Sequence, residues 1–185
     1  MYGAAMGDRL TKLDWLKHGL RTLANDGPGG LKVGPMAAKL NVSRGSFYWH
    51  FQDIEDFRSE LLQHWQETST DQIIDALDAR PGDPDRLRDL LHQAFDRQPR
   101  LDRAIRSWAA HDKYVAGIVA AVDERRIARV ARLLVDAGMD TTRAAHRALF
   151  FYWAFLGQAA VVDQRHTSLP KEALNDIAHL FGGPD

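Results

Sequence analysis

Residues 31–51 read LKVGPMAAKLNVSRGSFYWHF, and the placing of apolar and polar side chains along this stretch decides the fold. Pro35 suits a first helical turn, where an N–H is spare, so the spacing predicts a short helix over about Gly34 to Leu40. Asn41-Val42-Ser43 is a tight break. Ser43 is a good N-cap for a second short helix over Arg44 to His50. Ala37, Leu40, Val42, Phe47 and Phe51 have the spacing of a small core that fixes the angle between the two helices. Ser43, Arg44, Gly45, Ser46, Tyr48, Trp49 and His50 are left to face outward.

No Asp or Glu lies between Asp26 and Asp53, while Lys32, Lys39 and Arg44 supply positive charge, with His50 in reserve. The net charge of -1 hides this window, and a polyanion responds to the local distribution rather than the sum. Two short helices, a three-residue break and a basic, acid-free surface describe a helix-turn-helix, whose second helix can enter a major groove. Gly45 would let the backbone approach closely. Ser46 could donate a hydrogen bond, Tyr48 could offer its hydroxyl to a phosphate, and Arg44 could reach a guanine or a phosphate.

Outward from this stretch the chain reads as helix throughout. Leu13, Leu16, Leu20 and Leu23 form one apolar stripe, which residues 25–30 (NDGPGG) terminate. Asp53, with Asp56 three residues on, caps a long helix. Ile54, Phe57, Leu61 and Trp65 trace its inner face, and Ile73, Ile74 and Leu77 carry it to about residue 78. RPGDPD (80–85) is the clearest break. A helix holding Leu87, Leu90, Leu91, Ala94 and Phe95 follows and ends at RQPR (97–100). Further helices are predicted over about 102–110, 113–137, 141–165 and 170–180, with Gly138 as a C-terminal cap and Pro170 in the first turn of the last. No period-two alternation competes, so the fold class is all-α.

Residues 148–162 (ALFFYWAFLGQAAVV) are apolar almost all round, and such a helix must be covered on more than one side. Either a second copy of the chain covers it through a two-fold interface, or neighbouring helices of the same chain do.

At 185 residues, 45% of them hydrophobic, the chain is long enough for a proper core. It has no apolar run of the ~20 residues a membrane span needs, and its first ten residues lack a signal-peptide pattern, so the expectation is a cytoplasmic protein. The absence of cysteine excludes disulfides, thiolate nucleophiles and Cys-based zinc sites. The eight His residues (18, 50, 64, 92, 111, 146, 166 and 179) show no paired metal-ligand spacing. Asp112 beside His111 is better read as a helix start than as a ligand. No phosphate loop, dinucleotide fingerprint or nucleophile elbow is present. The expectation is therefore no enzyme, no metal and no cofactor. Residues 122–134 (VDERRIARVARLL), acids followed by arginines at helical spacing, read as a solvated, salt-bridged face.

The motif resembles the DNA-binding segment of TetR-type bacterial transcriptional regulators, with their run of Val-Ser-Lys/Arg-Gly-Ser/Thr-Leu/Phe-Tyr-x-His-Phe. The close match covers about 21 residues, 31–51. The resemblance implies about nine helices. A three-helix DNA-binding head would span 1–52, and a ligand-binding and dimerisation body would span 53–185. It places DNA contacts at Ser43, Arg44, Ser46, Tyr48, Trp49 and His50, and the reading of the residues themselves adds Gly45 and Lys32 to the candidate DNA-binding set. It also favours the second copy as cover for the apolar helix, with Phe150, Trp153, Gly157, Val161, Leu174 and Ile177 at the interface. A small-molecule pocket in the body would draw on Trp65, Phe95, Trp108, His111, Phe151, Tyr152 and Phe155, although plain core packing is open to each of them. Two departures stand out. One is Lys32, Val33 and Gly34, where the family usually starts the first motif helix with Thr or Ser and often has a base-reading residue just inside. The other is Ile54, where a phosphate-binding Lys is common. The implied partners are a palindromic double-stranded operator, an unidentified effector and a second copy of the chain. The rival reading is a helical ligand-binding or structural homodimer whose head no longer binds DNA.

Overall fold

The computed structural model describes residues 10–96, 100–160 and 169–182, and every regular element among them is helical. The head consists of α1 (Lys12–Asp26), α2 (Val33–Lys39) and α3 (Arg44–Tyr48). The rest comprises α4 (Ile54–Gln66), α5 (Gln72–Asp78), α6 (Arg86–Asp96), α7 (Arg100–Ala109), α8 (Lys113–Asp136), α9 (Thr141–Ala160) and α10 (Lys171–Gly182). The helix expected from Asp53 to about 78 is α4 and α5 joined by a π-helical turn, Glu67–Asp71. The sequence that unwinds it is Thr68-Ser69. Both hydroxyls bond back to carbonyls four residues earlier, on His64 at 2.7 Å and Trp65 at 2.6 Å, a habit that bends helices.

Local chemistry sets the helix ends. Thr11 and Asp14 make a reciprocal capping box at the start of α1. Asp53 accepts from the N–H groups of Glu55 and Asp56 at 2.9 and 2.8 Å, while the Asp56 carboxylate accepts from that of Gln52 at 2.8 Å. Asp112 does the same for α8, accepting from Tyr114 and Val115. α8 ends on Gly138 at φ 97°, with Gly138 N–H on Val135 O and Met139 N–H on Leu134 O. Leu134 and Met139 both enter the core beside this turn.

Two apolar clusters hold the molecule together. The first joins the head to the body: Trp15, Leu23, Leu31, Met36, Phe47, Phe57, Leu61 and Trp65 run into Ile105, Val115, Val119 and Val122. The second gathers Leu87, Leu91, Leu134, Ala144, Ala148 and Phe151 at the far end. α1 and α4 pack closely at Gly19, where a Cβ would lie 2.5 Å from Phe57 Cζ and 2.9 Å from Leu61 Cδ1. Both neighbours are fully buried and cannot move aside. In an ordinary helix Gly→Ala gains up to about 1 kcal/mol. Gly19→Ala should instead lose about 1–3 kcal/mol through overpacking, read from urea unfolding, and a neutral or stabilised variant would contradict this packing.

Candidate nucleic-acid interface and body cavity

The turn between α2 and α3 is built on Asn41, which takes the left-handed conformation at φ 55°. Its N–H bonds Ala38 O at 3.1 Å, and that of Val42 bonds Ala37 O at 3.0 Å. These are the paired bonds of a Schellman ending, with Asn where Gly is commoner. α3 then turns Phe47 inward, fully buried, with ring centroids 5.3 Å from Trp15, 5.0 Å from Phe51 and 5.4 Å from Phe57. Tyr48 and Trp49 point the other way, 59% and 73% exposed. Lys32, Ser43, Arg44 and Gly45 are exposed and Ser46 is half-buried, so these side chains share one face. Ser43 stands at the N-cap with extended backbone but makes no side-chain capping bond.

His50 departs from expectation. α3 ends at Tyr48 rather than His50. The half-buried imidazole lies 2.8 Å, at Nε2, from the carbonyl of Leu10. It ties the start of the chain to the end of α3 instead of facing outward with its neighbours.

In the body a cavity of about 200 Å³ opens where the two apolar clusters meet. Five of the candidate pocket residues, Trp65, Phe95, Phe151, Tyr152 and Phe155, line it. Trp108 and His111 do not. Trp108 is buried in the cluster shared with the head, and His111 is exposed at the end of α7, with Nδ1 3.0 Å from Ser107 O.

The polar side of the cavity comes from the arginine-rich run on α8. That run is salt-bridged as expected and exposed at Glu124, Arg125 and Arg132, whereas Asp123, Arg126 and Arg129 turn inward. Arg126 reaches Thr70 Oγ1 at 3.0 Å, Ser69 O at 3.2 Å and Asp102 at 3.3 Å, its guanidinium lying 5.6 and 5.7 Å from the Trp65 and Phe155 ring centroids. Asp123 accepts from Arg106 at 2.7 Å and from the Tyr152 hydroxyl at 2.5 Å. Burial, then that hydrogen bond, pushes the Tyr152 hydroxyl up to about 12. For Arg106 burial is the largest single influence and works against the charge, but the Asp123 hydrogen bond together with the charges of Tyr152, Asp123 and Asp102 outweighs it, and the pKa is raised. One signal was available in the sequence. Asp123, Arg126 and Val130 lie three or four residues apart on the same helical face as the buried Val119, so that face was bound to point inward. Among the described residues no group of three or more His, Cys, Asp or Glu is placed to hold a metal ion, and no helix is long and apolar enough to cross a membrane.

This arrangement of head and body has known counterparts. A transcriptional regulator from Rhodococcus sp. Rha1 superposes with a TM-score of 0.65 at 19% identity, covering 94% of this chain and 95% of that one. A second Rhodococcus protein, described as a TetR-family transcriptional regulator, gives 0.57 at 18% identity over 90% and 93% of the two chains. The chain has the TetR-family fold. In sequence it is 32% identical over 73 residues to the HTH-type transcriptional regulator AcrR of Shigella flexneri. That match spans 39% of this chain and 34% of the length of that relative. No protein-family model matches the chain.

Within the TetR-type pattern, the departures at Gly34 and Ile54 have different surroundings. A Cβ on Gly34 would lie 2.9 Å from Arg44 Nη2, so the guanidinium rests against the glycine at the start of α2, where the exposed arginine could turn aside for a larger residue. Ile54 is half-buried against the head's core. The six residues expected between copies separate. Phe150 and Trp153 are 57% and 60% exposed, and with the exposed Gly157 they form one stripe on α9. Leu174 is instead buried, and Ile177 is packed with the second cluster. α10 spends its apolar face on its own chain, because α6 lies beneath it. Val161 lies outside the described residues.

Proposed function

We propose that this chain is a homodimeric DNA-binding transcriptional regulator of the TetR type, a repressor that a small molecule entering the body cavity releases from a palindromic operator. One observation carries the reading. α3 presents Arg44, Gly45, Ser46 and Tyr48 on one accessible face, beside Lys32 and Trp49, while Phe47 and Phe51 anchor the opposite face. Arg44 and Lys32 both stand at helix starts, where the backbone is already electropositive. Cations collected there call for an anion, and a phosphate backbone supplies a row of them. The likeness to AcrR, itself a helix-turn-helix regulator by name, supports the same conclusion.

The dimer rests on the exposed Phe150–Trp153–Gly157 stripe, since large aromatics lined up on a helix mark an interaction surface. A two-fold axis across it would pair α9 with its copy and set the two α3 helices ~34–36 Å apart, one turn of DNA. An effector favouring a body conformation with the wrong spacing would lower operator affinity by its difference in affinity for the two states. The protein is expected to act where its operator is, in the cytoplasm.

The test is a gel shift against the DNA upstream of its own gene at low salt. Arg44→Ala and Tyr48→Phe should each weaken the specific complex about tenfold. Arg44→Ala should also reduce the slope of log affinity against log salt by about one. Neither should alter the sedimentation coefficient or the melting temperature. Binding no better than to random DNA would end the reading.

A further inference from the structure

The cavity wall is apolar along most of its length, with Ile73, Ile74, Leu90 and Phe95 among its lining, and cationic where α8 borders it. The two α8 arginines there are not equivalent. Arg126 is engaged by Thr70, Ser69 and Asp102. The Arg129 side chain is only 10% exposed and spends one nitrogen, Nη1, on Asp78 at 2.6 Å. Arg129 lines the cavity, and its Nε and Nη2 are buried with no hydrogen-bond partner. These two nitrogens share one edge of the guanidinium plane, and their parallel N–H bonds match the two oxygens of a single carboxylate. A ligand meets that edge once the side chain turns toward the cavity.

Buried donors are almost always satisfied, and leaving two on one edge unmet is costly. The charge behind that edge is only weakly offset, because Asp78 is 57% exposed and screened by solvent. We propose that the body cavity binds a small apolar carboxylic acid, with its carboxylate on the Nε–Nη2 edge of Arg129 and its hydrocarbon among the isoleucine, leucine and phenylalanine side chains. The volume of about 200 Å³ lies below the ~300–1,000 Å³ typical of ligand pockets. That selects a single chain or a fused ring pair over a bulky conjugate. The inference rests on the reading of this cavity as the effector site and names the chemistry of the effector.

Calorimetry on the full chain tests it, with decanoate, methyl decanoate, decylamine, 2-naphthoate and methyl 2-naphthoate as probes. Each acid should bind at least about tenfold tighter than its methyl ester, the return on a charge-assisted bidentate pair, and decylamine should bind more weakly still. Arg129→Leu should erase the difference between acid and ester, and Arg129→Lys should keep only part of it. Asp78→Asn removes a carboxylate that is 57% exposed but leaves a side-chain oxygen for Arg129 Nη1, so it should keep the fold and tighten decanoate binding. Esters binding as well as acids, a preference surviving in Arg129→Leu, or no binding by any probe would overturn the proposal. Gel shifts on the same preparations separate the two readings. Operator binding without acid binding sinks this inference alone, whereas acid binding without operator binding sinks the regulator reading alone.

Discussion

Phe47→Ala is expected to cost about 4 kcal/mol, within the range of roughly 3–5 kcal/mol for emptying a buried phenylalanine site. At this chain length that lowers the melting temperature by roughly 8–16 °C. The size follows from the surroundings, since Phe47 is fully buried and its ring meets those of Trp15, Phe51 and Phe57 within 5.4 Å. Aromatic neighbours are too rigid to collapse into the void, and losing the edge-to-face contact with Trp15 adds about 0.5–1.5 kcal/mol to the transfer loss. Phe47→Leu should cost far less, about 1.5 kcal/mol. Tyr48→Phe, one residue along but pointing to solvent, should stay within about 0.5 kcal/mol of the parent. Urea titrations of the three variants give the comparison. A Phe47→Ala loss below about 1 kcal/mol would mean that α3 is not anchored as described.

That contrast between positions 47 and 48 was legible in the sequence. Helical spacing alone separates the inward Phe47 and Phe51 from the outward Tyr48, and the caps at Asp53, Asp112 and Gly138 are local signals that needed no tertiary information. Helix positions and the all-α class followed from the same short-range chemistry. His50 was not legible, because its partner is the carbonyl of Leu10, forty residues away. Such long-range hydrogen bonds leave no periodicity. The same holds for Leu174, whose burial depends on α6 lying beneath α10.

The arginine run on α8 shows a different limit. A row of charges at helical spacing is usually solvated, and only the spacing of Asp123, Arg126 and Val130 from Val119 hints that one face of 122–134 turns inward. What draws it inward is the other half of the pairs: Asp102 and Arg106 on α7, Ser69 and Thr70 on the π turn, and Tyr152 on α9. Each is unremarkable in its own segment, and the pairing exists only once α7, α8 and α9 have packed. The charges become tolerable inside because every carboxylate there meets a guanidinium, and a buried ion is costly chiefly when it lacks a partner.

Arg126 is the member of this network whose loss should be felt most. Its side chain is 14% exposed, and that of its partner Asp102 is 18% exposed. Arg126→Met would keep most of the packing against Trp65 and Phe155 while removing the charge. Asp102 would then hold only the Trp65 indole N–H at 3.3 Å, and the Ser69 carbonyl at the π turn would lose its guanidinium donor. Breaking one side of a buried pair costs about 3–5 kcal/mol, mostly as the penalty on the charge left behind, so Arg126→Met should lose about 3 kcal/mol. The double variant Arg126→Met/Asp102→Asn should recover much of this, because the stranded carboxylate is gone. A coupling of about 1–3 kcal/mol in the double-mutant cycle would establish the pair, and additive losses would refute it. The π turn offers a second readout. It lies between α4, which carries Phe57 into the head, and α5 at the cavity, and its Ser69 carbonyl bonds Arg126. Hydrogen exchange over residues 67–71 should accelerate in Arg126→Met while that of α1 stays unchanged.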